Sequence, residues 1–77
     1  MEGFDFGYIG LALNDRIKAS GLSKNQVAKR SMLERSQLNR YCSGQIQRVD
    51  LDVLTRICYT LDCSVEDILV YHPPKQD

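Results

Sequence analysis

From residue 9 onward the apolar positions of this chain fall three and four apart, the spacing of helices that bury one face. Ile9, Leu13 and Ile17 recur at every fourth position with Ala12 beside them, which marks a first helix. Gly21 follows Ser20 and suits the left-handed residue that closes it, with Leu22 as the apolar residue after the turn. Ser23 and Gln26 then form the reciprocal pair of a capping box, so a second helix is predicted over about Lys24 to Arg30, with Val27 and Ala28 inward. A third is predicted over about Arg35 to Cys42, with Leu38 and Tyr41 inward and Ser43-Gly44 at its end. Asp50 is a good N-cap for a fourth helix, about Leu51 to Leu61, whose apolar set is Leu51, Leu54, Ile57, Cys58 and Leu61. Ser64 to Asp67 would cap a short fifth helix carrying Val65, Ile68 and Leu69, and Pro73-Pro74 forbids anything further.

The N-terminal segment has a different period. Phe4, Phe6 and Tyr8 alternate in the manner of a strand, and Leu69 to His72 also reads as extended. The two segments would pair as a short two-stranded ribbon leaning on the helices, or the first would be a frayed tail with Phe4 and Phe6 tucked onto the core. The expected organisation is an N-terminal segment over 1–8, one helical domain over 9–72 and a tail over 73–77. The expected class is all-α with five helices.

Length limits the rest. Seventy-seven residues make one domain with a thin core. The 43% hydrophobic and 26% charged composition is that of a folded domain rather than a disordered chain. Apolar runs are far shorter than the roughly 20 residues of a membrane span, and no basic-then-apolar leader is present. Cys42, Cys58 and Cys63 lack metal-ligand spacing and His72 is the single histidine, so neither zinc nor another cofactor is expected. Free thiols fit a reducing, cytoplasmic setting. Cys58 and Cys63 read as core residues; Cys42, late in the third helix near Arg40, is the thiol at which a redox-sensing role competes with a structural one. No paired carboxylates, nucleophile–histidine arrangement or glycine-rich phosphate loop is present, so no enzyme is expected.

The formal net charge of zero conceals a segregated charge pattern. Residues 1–15 hold Glu2, Asp5 and Asp15 and no base. Residues 16–48 hold Arg16, Lys18, Lys24, Lys29, Arg30, Arg35, Arg40 and Arg48 against Glu34 alone. Residues 49–77 hold six carboxylates against Arg56 and Lys75. A basic middle between acidic flanks is directed at a polyanion; the alternative is a solvated helix face.

The basic stretch covers two helices joined by only Ser31-Met32-Leu33-Glu34, with Ala28 small enough for the close approach of steeply crossed helices. In this respect the chain resembles the Cro/lambda-repressor-like helix-turn-helix family. The residues that carry the resemblance are Gly21-Leu22-Ser23, Val27-Ala28, Leu33, Leu38, Tyr41, Ser43-Gly44, Val49-Asp50-Leu51, Leu54, Ile57-Cys58, Leu61-Asp62-Cys63 and Asp67-Ile68-Leu69. It implies a five-helix DNA-binding domain acting as a transcriptional regulator, with the third helix in the major groove. It further implies base contacts from Arg35, Ser36, Asn39 and Arg40, and phosphate contacts from Lys24, Gln37 and the loop Gln45 to Arg48 through Gln47 and Arg48. Double-stranded DNA and a second copy of the chain are the implied partners, with no membrane. The alternative is an antitoxin-like or protein-interaction module in which a protein partner is primary and DNA binding is secondary or lost.

Two positions depart from the family pattern. Met32 stands where a turn glycine is usual, so either its φ is positive at a cost of about 1–2 kcal/mol or the turn has another shape and Met32 packs inside. Glu34 stands where Ser or Thr usually caps the third helix; a carboxylate suits the helix dipole but would face phosphates.

Overall fold

The computed structural model describes residues 4–44 and 46–75. The elements run β1 (Tyr8–Leu11), α1 (Leu13–Ser20), α2 (Lys24–Arg30), α3 (Arg35–Ser43), α4 (Leu51–Leu61), a 3-10 turn (Val65–Asp67) and β2 (Leu69–His72). The architecture is four α-helices and a small antiparallel sheet. The expected fifth helix is a single 3-10 turn, because the chain must straighten into β2 immediately afterwards. Its Val65 is half-exposed, while Ile68 just beyond is fully buried. No helix among the described residues is long and apolar enough to cross a membrane.

Local chemistry accounts for the helix starts. The Ser23 hydroxyl accepts from the Gln26 amide at 3.1 Å, and the Gln26 side-chain oxygen accepts from the Ser23 amide at 2.9 Å. Asp50 accepts from the Asp52 amide at 2.8 Å and so caps α4. Glu34 makes no side-chain cap bond to α3.

Each helix ends beside a left-handed residue. Gly21 (φ 78°) and Gly44 (φ 73°) fill that position after α1 and α3, as the glycine placement predicts. After α4 it is Asp62 (φ 52°). After α2 it is Met32 (φ 57°), and its side chain is 81% exposed. The Met32 amide donates to the Lys29 carbonyl and the Leu33 amide to that of Ala28 at 2.9 Å. The turn therefore keeps the shape that favours glycine, and Met32 does not pack in the core.

The core takes Leu13 and Ile17 from α1, Val27 and Ala28 from α2, Leu38, Tyr41 and Cys42 from α3, and Val53, Leu54, Ile57 and Leu61 from α4, with Leu33 and Ile68 from the turns. Four expected apolar positions fall elsewhere. Ile9 belongs to β1 rather than the first helix and is exposed, and Leu51 is 75% exposed, with Val53 buried in its stead. Cys58 and Cys63 are only partly buried against the core.

The strand segment forms, four residues further along than the aromatic alternation suggests. Tyr8 pairs with His72, Ile9 with Tyr71, Gly10 with Val70 and Leu11 with Leu69. Leu11 and Leu69 turn the base of the ribbon onto the core. Phe4 and Phe6 stack on each other, ring centroids 6.2 Å apart, and are exposed rather than tucked inside. The Tyr71 hydroxyl donates to the Phe6 carbonyl at 2.7 Å and ties this segment to the ribbon. Gly7 (φ 84°) lies against the His72 carbonyl so closely that a Cβ has no room.

Replacing Met32 by glycine relieves the left-handed strain without opening a cavity. Met32→Gly is expected to raise stability by about 1 kcal/mol after the extra unfolded-state entropy of glycine is deducted, seen as a melting temperature higher by about 4–8 °C. A lower melting temperature would mean that Met32 contributes packing that outweighs the strain.

Candidate nucleic-acid interface

The geometry of α2 and α3 follows from which residues are small or apolar. Val27 and Ala28 on α2 and Leu38, Tyr41 and Cys42 on α3 point into one core. Residues 38, 41 and 42 define the inner stripe of α3, so the opposite stripe falls to Ser36, Asn39 and Arg40. All three are exposed, as is Arg35 at the first position of the helix. The structure thus leaves all four expected base-contacting residues exposed, Ser36, Asn39 and Arg40 on the outer stripe of α3 and Arg35 at its start.

Arg35 does not extend freely. Its Nη1 donates to the Asn25 Oδ1 at 2.8 Å. Asn25 is the second residue of α2, so this bond joins the starts of the two helices and orients the guanidinium. Sequence reading missed Asn25, because nothing in the local pattern relates residues ten apart on different helices.

Lys24 is the first residue of α2 and is half-buried. Gln37 is also half-buried, while Gln47 and Arg48 are exposed in the loop before α4. Gln37, Arg40 and Arg48 come together with Tyr41, Val49 and Asp50 around an open polar cavity of about 460 Å³. The Gln45 end of the expected phosphate loop lies outside the described residues.

That loop is held by a side chain of the core. The Tyr41 hydroxyl accepts from the Asp50 amide at 2.9 Å, while its ring is buried. It links the inner face of α3 to the residue that caps α4 and so fixes the end of the loop that carries Arg48. Two further bonds stiffen the frame. The buried Ser31 donates to the Thr60 hydroxyl at 2.8 Å, joining the end of α2 to α4. The Asn14 amide donates to the Cys42 carbonyl at 3.2 Å, satisfying an orphan group at the end of α3.

Cys42 itself is a free thiol in the core. Burial pushes its thiol above the usual cysteine range, and the weaker attraction of Lys24 and Arg35 does not reverse this.

Two crossed helices of this form, with a basic outer surface on the second, match a known arrangement. The sequence profile of the Cro/C1-type HTH DNA-binding domain covers residues 12–74. The chain belongs to this Cro/C1-type helix-turn-helix family. A crystal structure of the transcriptional regulator VanUg (form II) has the same fold, with a TM-score of 0.70 over 96% of this chain and 97% of that chain, at 19% identity. No curated protein matches the chain. For a Cro/C1-type domain the left-handed turn after α2 is in place, with methionine serving where glycine is usual.

Tyr41→Phe removes the acceptor for the Asp50 amide and nothing else. The expected loss is about 1 kcal/mol of stability, together with faster hydrogen exchange at the Asp50 amide. An unchanged exchange rate there would show that the hydroxyl does not hold the loop.

Proposed function

We propose that this Cro/C1-type domain is a sequence-specific transcriptional regulator that lays α3 in the major groove of double-stranded DNA. The observation that carries the reading is the outer surface of α3, where Arg35, Ser36, Asn39 and Arg40 are all exposed while Leu38, Tyr41 and Cys42 are core. A helix about 10–12 Å across fits a groove about 12 Å wide. Arg35 and Arg40 offer planar forks to guanine O6 and N7, Asn39 offers an amide to adenine N6 and N7, and the Ser36 hydroxyl serves as donor or acceptor. Lys24, Gln37, Gln47 and Arg48 hold phosphates on either side and set the register. The bond from Asn25 reduces the freedom that Arg35 loses on binding.

The domain acts as a homodimer on a palindromic site, with half-sites about 34 Å apart. The exposed side chains of Phe4, Phe6, Ile9 and Tyr71 on and beside the ribbon support a contact between copies.

A second reading, in which a protein partner is primary, draws on a different surface. Met32 and Tyr59 are 81% and 87% exposed and line one shallow cavity with Arg30 and Arg56. Salt separates the two readings. A DNA binder loses affinity with a log–log slope of about −0.9 per phosphate contacted, whereas a protein-interaction module has almost no DNA affinity at any salt.

Selection of bound duplexes from a randomised pool is expected to enrich a palindrome. On the selected site Arg40→Ala should cost about 1–3 kcal/mol and relax one base position. Lys24→Ala should weaken all sequences alike and reduce the salt slope by about one contact. Uniform weakening by Arg40→Ala would reassign Arg40 to a phosphate.

A further inference from the structure

The C-terminal end of α4 brings two thiols together. Asp62 takes the left-handed conformation, its amide donates to the Tyr59 carbonyl at 3.3 Å, and the Cys63 amide donates to the Cys58 carbonyl at 3.1 Å. In this motif the chain doubles back, and the side chain just past the left-handed residue meets one from the last helical turn. Those two positions are commonly filled by apolar residues. Here both are cysteines.

The hydrogen bond bounds the geometry. A 3.1 Å separation between the Cys63 nitrogen and the Cys58 oxygen, added to the covalent reach on each side, keeps the two Cα atoms within about 7 Å. That is the range a disulfide spans. The two cysteines occupy the positions that this turn sets beside each other, Cys58 in the last helical turn and Cys63 just past the left-handed Asp62. Both are reduced in the structure, and both are partly exposed, in contrast with the buried Cys42.

We propose that Cys58 and Cys63 are a thiol–disulfide exchange site, which a small-molecule disulfide converts to an internal bridge that closes the end of α4 onto the segment leading to β2. In the first step one cysteine thiolate attacks a sulfur of the incoming disulfide. A mixed disulfide forms, the incoming S–S bond breaks and one small thiolate leaves. In the second step the other cysteine attacks the protein sulfur of that mixed disulfide, the Cys58–Cys63 bond forms and the second small thiolate leaves. The two protons lost by the cysteines pass to the released thiolates. The protein is oxidised by two electrons and the small disulfide is reduced to two thiols.

The consequence lies at the ribbon. Only four residues separate the cysteines, so the bridge removes little unfolded-state entropy and its stabilisation is small. It nevertheless fastens the turn that precedes Ile68, whose carbonyl accepts from the Ala12 amide at 2.8 Å where β1 meets α1. Both ribbon strands therefore join the helices next to the bridged turn. The α3 surface is not part of this site, and the inference does not depend on the DNA reading.

Oxidised glutathione at mildly alkaline pH is the probe, applied to the folded, full chain. After denaturation and alkylation, the peptide spanning residues 57–75 should be lighter by two hydrogens and carry no alkyl group, while Cys42 is alkylated. The reduced protein should take three alkyl groups. The oxidised protein should melt a few degrees higher than the reduced one. Cys63→Ser should instead retain one glutathione on Cys58, and its melting temperature should not rise on oxidation; Cys58→Ser should behave likewise at Cys63. Three alkylated cysteines after oxidation, or a wild-type protein that stops at a glutathione adduct, would overturn the exchange site. A bridged protein that melts no higher than the reduced one would overturn the fastening of the turn.

Discussion

The relation between α2 and α3 depends on one backbone bond, the 2.9 Å contact from the Leu33 amide to the Ala28 carbonyl. It forms only if the residue before Leu33 is left-handed, and that residue is Met32 at φ 57°. Once the chain turns there, Leu33 drops into the core beside Ala28, and α3 leaves in a direction that puts Leu38 and Tyr41 inside. The outer stripe of α3 is then whatever the inner stripe leaves, namely Ser36, Asn39 and Arg40, with Arg35 exposed at the first position of the helix. A strained residue is tolerated because the turn around it is fixed from several sides. The buried Ser31 bonds to Thr60, and Arg56 donates to the Met32 carbonyl at 3.3 Å. Such over-determination is the condition under which backbone strain persists.

Charge and packing divide the molecule between them. The bases are concentrated on the elements from α1 to the loop before α4, while α4, its capping Asp50 and the residues beyond carry six of the ten acids. The apolar face of α4 supplies four of the buried core residues and so serves as the platform on which α1 and α2 sit, with α3 packed against those two helices. Its exposed face carries an Arg56–Asp52 pair at 2.9 Å, which is solvent-screened and contributes little. Among the described residues that pair is the one ion pair, and it lies outside the basic stretch.

The residues of the proposed interface differ in how firmly they are held. Arg35 is fixed by Asn25, and the Arg48 loop is anchored through the Tyr41 hydroxyl. Ser36 and Asn39 are exposed on a helix whose packing is one-sided. Orientation by neighbouring side chains lowers the ordering cost on binding where it is present.

Much of the helical framework is local, which is why it was legible in the sequence. The capping box of Ser23 and Gln26, the Asp50 cap, and the glycines after α1 and α3 act over three or four residues, and α2 and α4 run over the spans those signals predict. The outer stripe of α3 followed from its inner stripe for the same reason. Tertiary packing decided the rest. Ile9 keeps helical spacing with Leu13 but pairs with Tyr71, because β2 offers hydrogen bonds that only a chain brought back from residue 69 can supply. The fifth helix shortens to a 3-10 turn because the same strand claims the residues after Ile68. Asn25 meets Arg35, Tyr41 meets Asp50 and Ser31 meets Thr60 only after the helices have packed, and side-chain bonds of this kind leave no periodic trace. The conformation at Met32 belongs to both levels: its place in the pattern posed the two alternatives, and the packing of Leu33 against Ala28 selected the left-handed one.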